Sequence, residues 1–131
     1  MDQMTIGEVA HRAGIRTSAI RYYERAGLLP QARRVNGHRR YEPDVLHKIA
    51  LIHFAQRAGL TVGEIRTLFY EFPAGTPASA RWQSVSTQKL EEVEALLAKV
   101  TMMKTLLERT LECECPTLDD CASGITDSGF C

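Results

Sequence analysis

The four cysteines of this 131-residue chain all lie beyond residue 112. Cys113, Cys115 and Cys121 follow one another closely, and Cys131 is the last residue. Thiolates select soft or borderline ions such as Zn(II), Cu(I) and Hg(II), or iron–sulfur clusters. Because the loop between Cys115 and Cys121 is long enough to fold back, the first three thiols can converge on one ion. We predict a metal site of Cys113, Cys115 and Cys121 that is completed by water, a tail group or Cys131. Cys131 is within reach because a ten-residue tail spans up to about 33 Å.

Acidic residues surround these thiols, namely Glu112, Glu114, Asp119 and Asp120. Oxidisable thiolates usually have Lys, Arg or a helix N-terminus beside them, whereas negative neighbours raise the pKa of a thiol and favour a bound cation. A disulfide framework is the weaker alternative, because the cysteines cluster at one end instead of spreading through a core. The sequence therefore ranks a metal ion first, an iron–sulfur cluster second and direct thiol oxidation third.

A long helix is predicted to precede the cysteines, over residues 80 to 111. Apolar residues recur there at steps of three and four, as in the seam of a coiled coil. The seam residues are Leu90, Val93, Leu97, Val100, Met103, Leu107 and Leu111. About 30 residues of helix span roughly 45 Å, which is too long for one small domain to cover. A second copy can cover it in parallel or antiparallel orientation, and we predict an antiparallel coiled coil in a homodimer; packing on the preceding helices is the alternative.

The N-terminal residues have the pattern of a helix-turn-helix. Thr5 can cap a short helix that Gly14 ends. A second helix is predicted from Thr17 or Ser18 to Arg25. Two short helices joined by a tight glycine-containing turn are typical of DNA-binding domains, so the fold class is expected to be mainly α.

Asn36-Gly37 lies between two pairs of arginines and is a strong signal for a hairpin turn. It predicts a two-stranded wing. Pro43 is expected in the first turn of a third helix that reaches about Ala58, and Thr61 is expected to cap a fourth helix that reaches about Phe69. The predicted apolar face of the third helix consists of Val45, Ile49, Leu51, Ile52 and Phe54. Residues 73 to 80 read as a linker.

The zero net charge of the chain hides two oppositely charged halves. Residues 1 to 60 carry ten Lys and Arg against five acids, a net charge of +5, and residues 61 to 131 carry −5. A basic half is the electrostatic footprint of a polyanion-binding surface, although a solvated charged surface is the alternative. A helix-turn-helix places the start of its second helix in the major groove. The predicted contacts are Arg16, Thr17 and Ser18 to bases and Arg21 and Tyr22 to phosphates. The wing residues Arg33, Arg34, Arg39 and Arg40 are expected to reach flanking phosphates or a minor groove. Tyr23 is expected to pack in the core.

Four motifs together resemble the MerR family of bacterial transcription regulators. They are Thr-Ile-Gly-Glu-Val-Ala at 5 to 10, Ile-Arg-Tyr-Tyr-Glu at 20 to 24, Gly-Leu-Leu-Pro at 27 to 30 and Asn-Gly-His-Arg-Arg-Tyr at 36 to 41. The resemblance implies a winged helix-turn-helix, a homodimer joined through the long helix, and DNA contacts that include Tyr41. It also implies that the dimer distorts the spacer of a promoter so that RNA polymerase can engage both promoter elements, either as repressor or as activator.

The cysteine spacing is also similar to that of the SoxR branch of this family, which senses redox stress through a [2Fe–2S] cluster. Cys113, Cys115 and Cys121 match the last three cluster cysteines of that branch, and Thr110 stands at the first. A cluster ordinarily takes four ligands. The pair Cys113 and Cys121 also resembles the metal loop of the copper sensors of the family. Those sensors have Ser or Cys near the start of the long helix, where this chain has Trp82.

We therefore expect three segments: a DNA-binding domain at 1–75, a linker and dimerisation helix at 76–112, and a cysteine-containing effector loop and tail at 113–131. An enzyme is disfavoured, because all four histidines lie in the basic half, away from the thiols. Metal storage needs the thiols but does not explain the helix-turn-helix. The polar N-terminus and the lack of an apolar run of about 18 residues predict a cytoplasmic protein without a membrane partner.

Overall fold

The computed structural model describes residues 3–129, which form helices and one two-stranded antiparallel sheet. In chain order the elements are α1 (Ile6–Ala13), α2 (Thr17–Arg25), β1 (Arg33–Val35), β2 (His38–Arg40), α3 (Val45–Arg57), α4 (Val62–Tyr70), α5 (Ala78–Thr110) and α6 (Leu118–Ser128). The chain divides into two compact units between Lys89 and Leu90. The mainly helical fold with a winged helix-turn-helix and a long helix confirms the predicted fold class.

The helices α1 and α4 begin with the same local structure. The hydroxyls of Thr5 and Thr61 accept the backbone N–H of Glu8 and Glu64, and those carboxylates accept the backbone N–H of the threonines. Each capping box satisfies two N–H groups that the helix itself cannot bond. Gly14 ends α1 at φ 69°, a left-handed conformation that glycine adopts without strain. The predicted boundaries of α1 are confirmed.

The start and the buried face of α3 differ from the prediction. Pro43 lies in a turn ahead of the helix, and Asp44 is the N-cap residue. Ile49 and Ile52 are buried as expected, but Leu51 and Phe54 are exposed. The predicted face was too wide, because only residues spaced three or four apart face the same core.

The segment after the cysteine motif was predicted as a loop and tail, and this prediction was wrong. Residues Leu118–Ser128 form α6, whose N-cap Thr117 accepts the backbone N–H of Asp120 at 3.1 Å. The negative charges of Asp119 and Asp120 in the first turn stabilise α6, because they lie at the positive end of the helix dipole. Gly129 ends α6 in the left-handed conformation.

The long helix extends from Ala78 to Thr110, within two residues of its predicted limits. Its buried residue is Val85, and all seven predicted seam residues are exposed. Within residues 3–129, no helix combines the length and the apolar character that crossing a membrane requires.

Candidate nucleic-acid interface and metal centre

The start of α2 presents the side chains that were predicted to read bases. Arg16 is the N-cap residue with extended backbone, Arg16 and Ser18 are exposed, and Thr17 is half-buried. One turn further on, Arg21 and Tyr22 are also exposed. Arg16, Thr17 and Ser18 therefore lie at the helix end that a helix-turn-helix inserts into the major groove, and Arg21 and Tyr22 follow on the exposed side of the same helix.

The opposite side of α2 faces the core. Ile20 is fully buried, and Tyr23 is 7% exposed with its ring edge-on to His53. Burial raises the pKa of the Tyr23 phenol. The prediction that Tyr23 is a packing residue is confirmed.

The wing forms as predicted from its turn. Asn36 and Gly37 both have positive φ, 54° and 79°, as the favoured two-residue hairpin turn requires. The register pairs Arg33 with Arg40 and Arg34 with Arg39. Both arginines of β1 are exposed, whereas Arg39 and Arg40 of β2 are half-buried.

Arg39 and Tyr41 both contact Glu24, an acidic residue for which the sequence predicted no role. The Nη1 of Arg39 lies 3.4 Å from Oε2 of Glu24, and the hydroxyl of Tyr41 donates to Oε1 of the same carboxylate. Tyr41 is 3% exposed. The predicted DNA contact of the Tyr41 side chain is therefore corrected, because this side chain lies in the core and its hydroxyl bonds a buried carboxylate.

Two residues of α4 hold the segment that follows α2. The Nε of Arg66 donates to the carbonyl of Ala26 at 3.1 Å, and the hydroxyl of Tyr70 donates to the carbonyl of Leu28 at 2.8 Å. These bonds span about 40 residues of sequence, so no local signal predicts them. They position the C-terminal end of α2.

The predicted metal ligands converge. The sulfur atoms of Cys113, Cys115 and Cys121 all lie within 4.8 Å of one another, and each residue is half-buried. The backbone N–H of Cys113 donates to Thr110 at the end of α5, and that of Cys121 donates to Thr117 at the start of α6. The predicted fourth ligand, Cys131, lies outside the described residues.

The three cysteines differ in chemical state. Cys113 and Cys121 are in the thiol form, and Cys115 is disulfide-bonded, so it must be reduced before it can act as a thiolate ligand. Partial desolvation raises the pKa of the Cys121 thiol, and the neighbouring Cys113 raises it further. The direction agrees with the prediction from the sequence, but the causes are burial and the second sulfur, not the acidic neighbours.

Comparison with known protein families identifies the family of this chain. The model of the MerR HTH family regulatory protein matches residues 4–71, and the model described as MerR, DNA binding matches residues 46–110. The chain belongs to the MerR family. The predicted family and the predicted role as a DNA-binding transcription regulator are confirmed.

Relatives of this MerR-family chain match most of its length. It is 30% identical over 128 residues to the HTH-type transcriptional regulator HmrR of Rhizobium leguminosarum bv. viciae, covering 92% of this chain and 99% of HmrR. It is 27% identical over 119 residues to a SoxR homolog of Chromobacterium violaceum (90% and 80%). It is 28% identical over 129 residues to heavy metal-dependent transcription regulator 2 of Rhizobium meliloti (92% and 88%).

A solved MerR-type structure has the same fold. PbrR691 from Ralstonia metallidurans CH34, solved in complex with lead(II), superposes with a TM-score of 0.71 at 23% identity, covering 87% of this chain and 90% of PbrR691. The family consists of transcription regulators, which accounts for the basic helix-turn-helix half of this chain. The roles of the individual DNA-contacting and metal-binding residues stay predictions.

Proposed function

We propose that this MerR-family regulator senses a thiophilic metal ion through Cys113, Cys115 and Cys121. The observation that carries the proposal is the convergence of three sulfur atoms within 4.8 Å of one another. Around a tetrahedral ion with Zn–S bonds of about 2.3 Å, sulfur atoms lie about 3.8 Å apart. A small closure of the loop, after reduction of Cys115, is therefore enough to make a three-thiolate site for Zn(II), Cu(I) or Hg(II).

The proposed output is control of a promoter. Arg16, Thr17 and Ser18 would read bases, and Arg21 and Tyr22 would contact phosphates. The exposed apolar seam of α5 favours a homodimer, whose two DNA-binding heads would distort promoter DNA for RNA polymerase in the cytoplasm. The same helix ends beside the cysteines, so a change at the metal site can bias the position of α5.

Two comparisons support the choice of a metal ion. One relative is named a heavy metal-dependent regulator, and PbrR691 was solved with lead(II) bound. Three thiolates with flanking carboxylates suit a soft cation. Neither comparison identifies the ion that this chain would bind.

Metal titration of the reduced protein under anaerobic conditions tests the proposal. We expect one Zn(II) or Hg(II) per chain and a thiolate charge-transfer absorption band in the ultraviolet with Hg(II). Cys113→Ser and Cys121→Ser should abolish both high-affinity binding and the response of transcription to metal, while DNA binding stays intact. Cys131→Ser is the matched variant that tests the fourth ligand. Unchanged metal affinity in both of the first two variants would exclude this site.

The SoxR homolog among the relatives favours a second candidate, a redox regulator with a [2Fe–2S] cluster. Such a cluster takes four ligands, and Thr110 occupies the position of the first cluster cysteine. Its hydroxyl donates to the carbonyl of Leu107 at 2.6 Å. A brown chromophore in anaerobically purified protein would select the cluster over a metal ion. Reversible oxidation of the thiols in a protein that binds neither metal nor cluster would instead select a redox regulator with oxidisable thiols.

A further inference from the structure

Among residues 3–129, Glu24 is the one charged residue that is buried, with 4% of its surface exposed. Removing a carboxylate from water is costly unless its oxygens find charged or hydrogen-bonding partners. Both oxygens have one: Tyr41 donates to Oε1, and Arg39 lies 3.4 Å from Oε2. A buried carboxylate with two long-range partners connects the elements that carry them.

The three residues connect the wing to the DNA-reading helix. Glu24 is in the last turn of α2, Arg39 is in β2, and Tyr41 follows β2. The backbone of Tyr41 also exchanges two hydrogen bonds of 2.9 Å with Met4, ahead of α1. The return strand of the wing is thus attached both to the end of α2 and to the start of the domain.

Arg39 differs in its electrostatic surroundings from Arg34, the arginine opposite it in the hairpin. The register places Arg34 directly across from Arg39, and two like charges facing each other across a hairpin are destabilising. Glu24 neutralises Arg39, whose side chain is 30% exposed, while Arg34 is on the surface. Within this cross-strand pair, therefore, Arg39 lies beside a buried carboxylate and Arg34 lies on the exposed surface of the wing.

We propose that Glu24 and Arg39 are positioning residues that fix the wing relative to α2, and that Arg39 neutralises no DNA phosphate. This inference rests on the proposed contacts of α2 and the wing with DNA. It removes Arg39 from the predicted phosphate contacts and leaves Arg34 among them.

Salt-dependent binding of Arg39→Gln and its matched control Arg34→Gln tests the inference. The probe is a duplex that the wild-type protein selects from a random-sequence pool. Arg34→Gln should reduce the slope of log affinity against log salt by about 0.9, the share of one phosphate contact. Arg39→Gln should keep the wild-type slope and weaken binding by about tenfold at every salt concentration. A slope reduced equally in both variants would overturn the inference.

Two more variants separate positioning from loss of folding. Arg39→Lys keeps a cation within reach of Glu24 and should recover most of the affinity. Glu24→Gln keeps the side-chain size and the bond from Tyr41 but releases Arg39, so it should reduce the preference for the selected duplex over a scrambled one. Wild-type affinity and preference in Glu24→Gln would overturn the inference even if Arg39→Gln failed to fold.

The outcome for Arg34 distinguishes failure of the proposed wing contact from failure of this inference. If Arg34→Gln leaves the salt slope unchanged, the wing contact is wrong. The melting temperatures of Glu24→Gln, Arg39→Gln and the double variant then decide whether Glu24 and Arg39 act as a positioning pair. A double variant that loses much less than the sum of the single losses supports a coupled positioning pair, and additive losses contradict it.

Discussion

Lys89 of α5 contacts Glu64 in the first turn of α4, with Nζ 3.1 Å from Oε1. Earlier in α5, Arg81 donates to the carbonyls of Leu68 and Phe69 at the other end of α4, at 3.1 and 2.9 Å. Each cation lies where the helix dipole or a capping carboxylate attracts it. The first turns of α5 therefore hold both ends of α4, the helix that in turn holds the segment after α2.

We expect Lys89→Met to destabilise the protein by about 0.2–1 kcal/mol, the range measured for surface ion pairs. Its effect should be non-additive with Glu64→Gln in a double-mutant cycle measured by urea denaturation at one protein concentration. Lys104→Met is the matched control, because Lys104 pairs with Glu108 on the exposed surface of α5 and should cost less. Additive effects of the first two substitutions would show that the pair contributes nothing to stability.

Acid should weaken the start of α4. The backbone N–H of Thr61, and then Lys89, hold the pKa of Glu64 below its usual value. The unfolded chain therefore binds the proton more tightly. The stability that Glu64 contributes is complete above its unfolded pKa of about 4.3 and is lost as the pH falls through the lower folded pKa. Glu64→Gln should make the melting temperature depend less on pH between about pH 5 and 3. If the melting temperatures of the variant and the wild type fell in parallel over this range, the prediction would be contradicted.

Arg21 is expected to contact a DNA phosphate. Arg21→Ala should weaken binding of the selected duplex and reduce the salt slope by about 0.9. Arg25→Ala is the matched control, because Arg25 is also exposed but lies in the last turn of α2. Its slope should equal that of the wild type. An unchanged slope in Arg21→Ala would remove Arg21 from the phosphate contacts.

Local chemistry explains which parts of the fold were predictable. Thr5 and Thr61 cap their helices with residues three positions away, and Asn36-Gly37 forms its turn without distant partners. Such features depend on a few adjacent residues. Their signals therefore appear directly in the sequence.

The contacts that the sequence did not reveal join distant residues. Tyr41 meets Glu24 across 17 positions, and a Tyr in a basic motif gives no sign that its hydroxyl faces a buried carboxylate. Periodicity located α3 but not the limits of its buried face. The convergence of the cysteines was predictable, because their short separations limit how far apart the sulfur atoms can lie.

The cap of α6 should control the metal site, and its signal, Thr117 three residues before Asp120, was present in the sequence. The Thr117 hydroxyl accepts the N–H of Asp120 at 3.1 Å, and the Thr117 carbonyl accepts the N–H of Cys121 at 3.1 Å. Loss of such a cap costs about 1 kcal/mol. Thr117→Ala should therefore weaken Zn(II) binding by roughly fivefold in a chelator competition.

Thr117→Ser is the matched control for this cap, because it keeps the capping hydroxyl and should bind Zn(II) as the wild type does. Far-ultraviolet circular dichroism of the same variants should show a small loss of helix in Thr117→Ala alone. If Thr117→Ala binds Zn(II) normally while Cys121→Ser does not, the sulfur of Cys121 reaches the ion without help from the Thr117 cap. The bound metal would then hold the first turn of α6 in place, and the cap would not position the site.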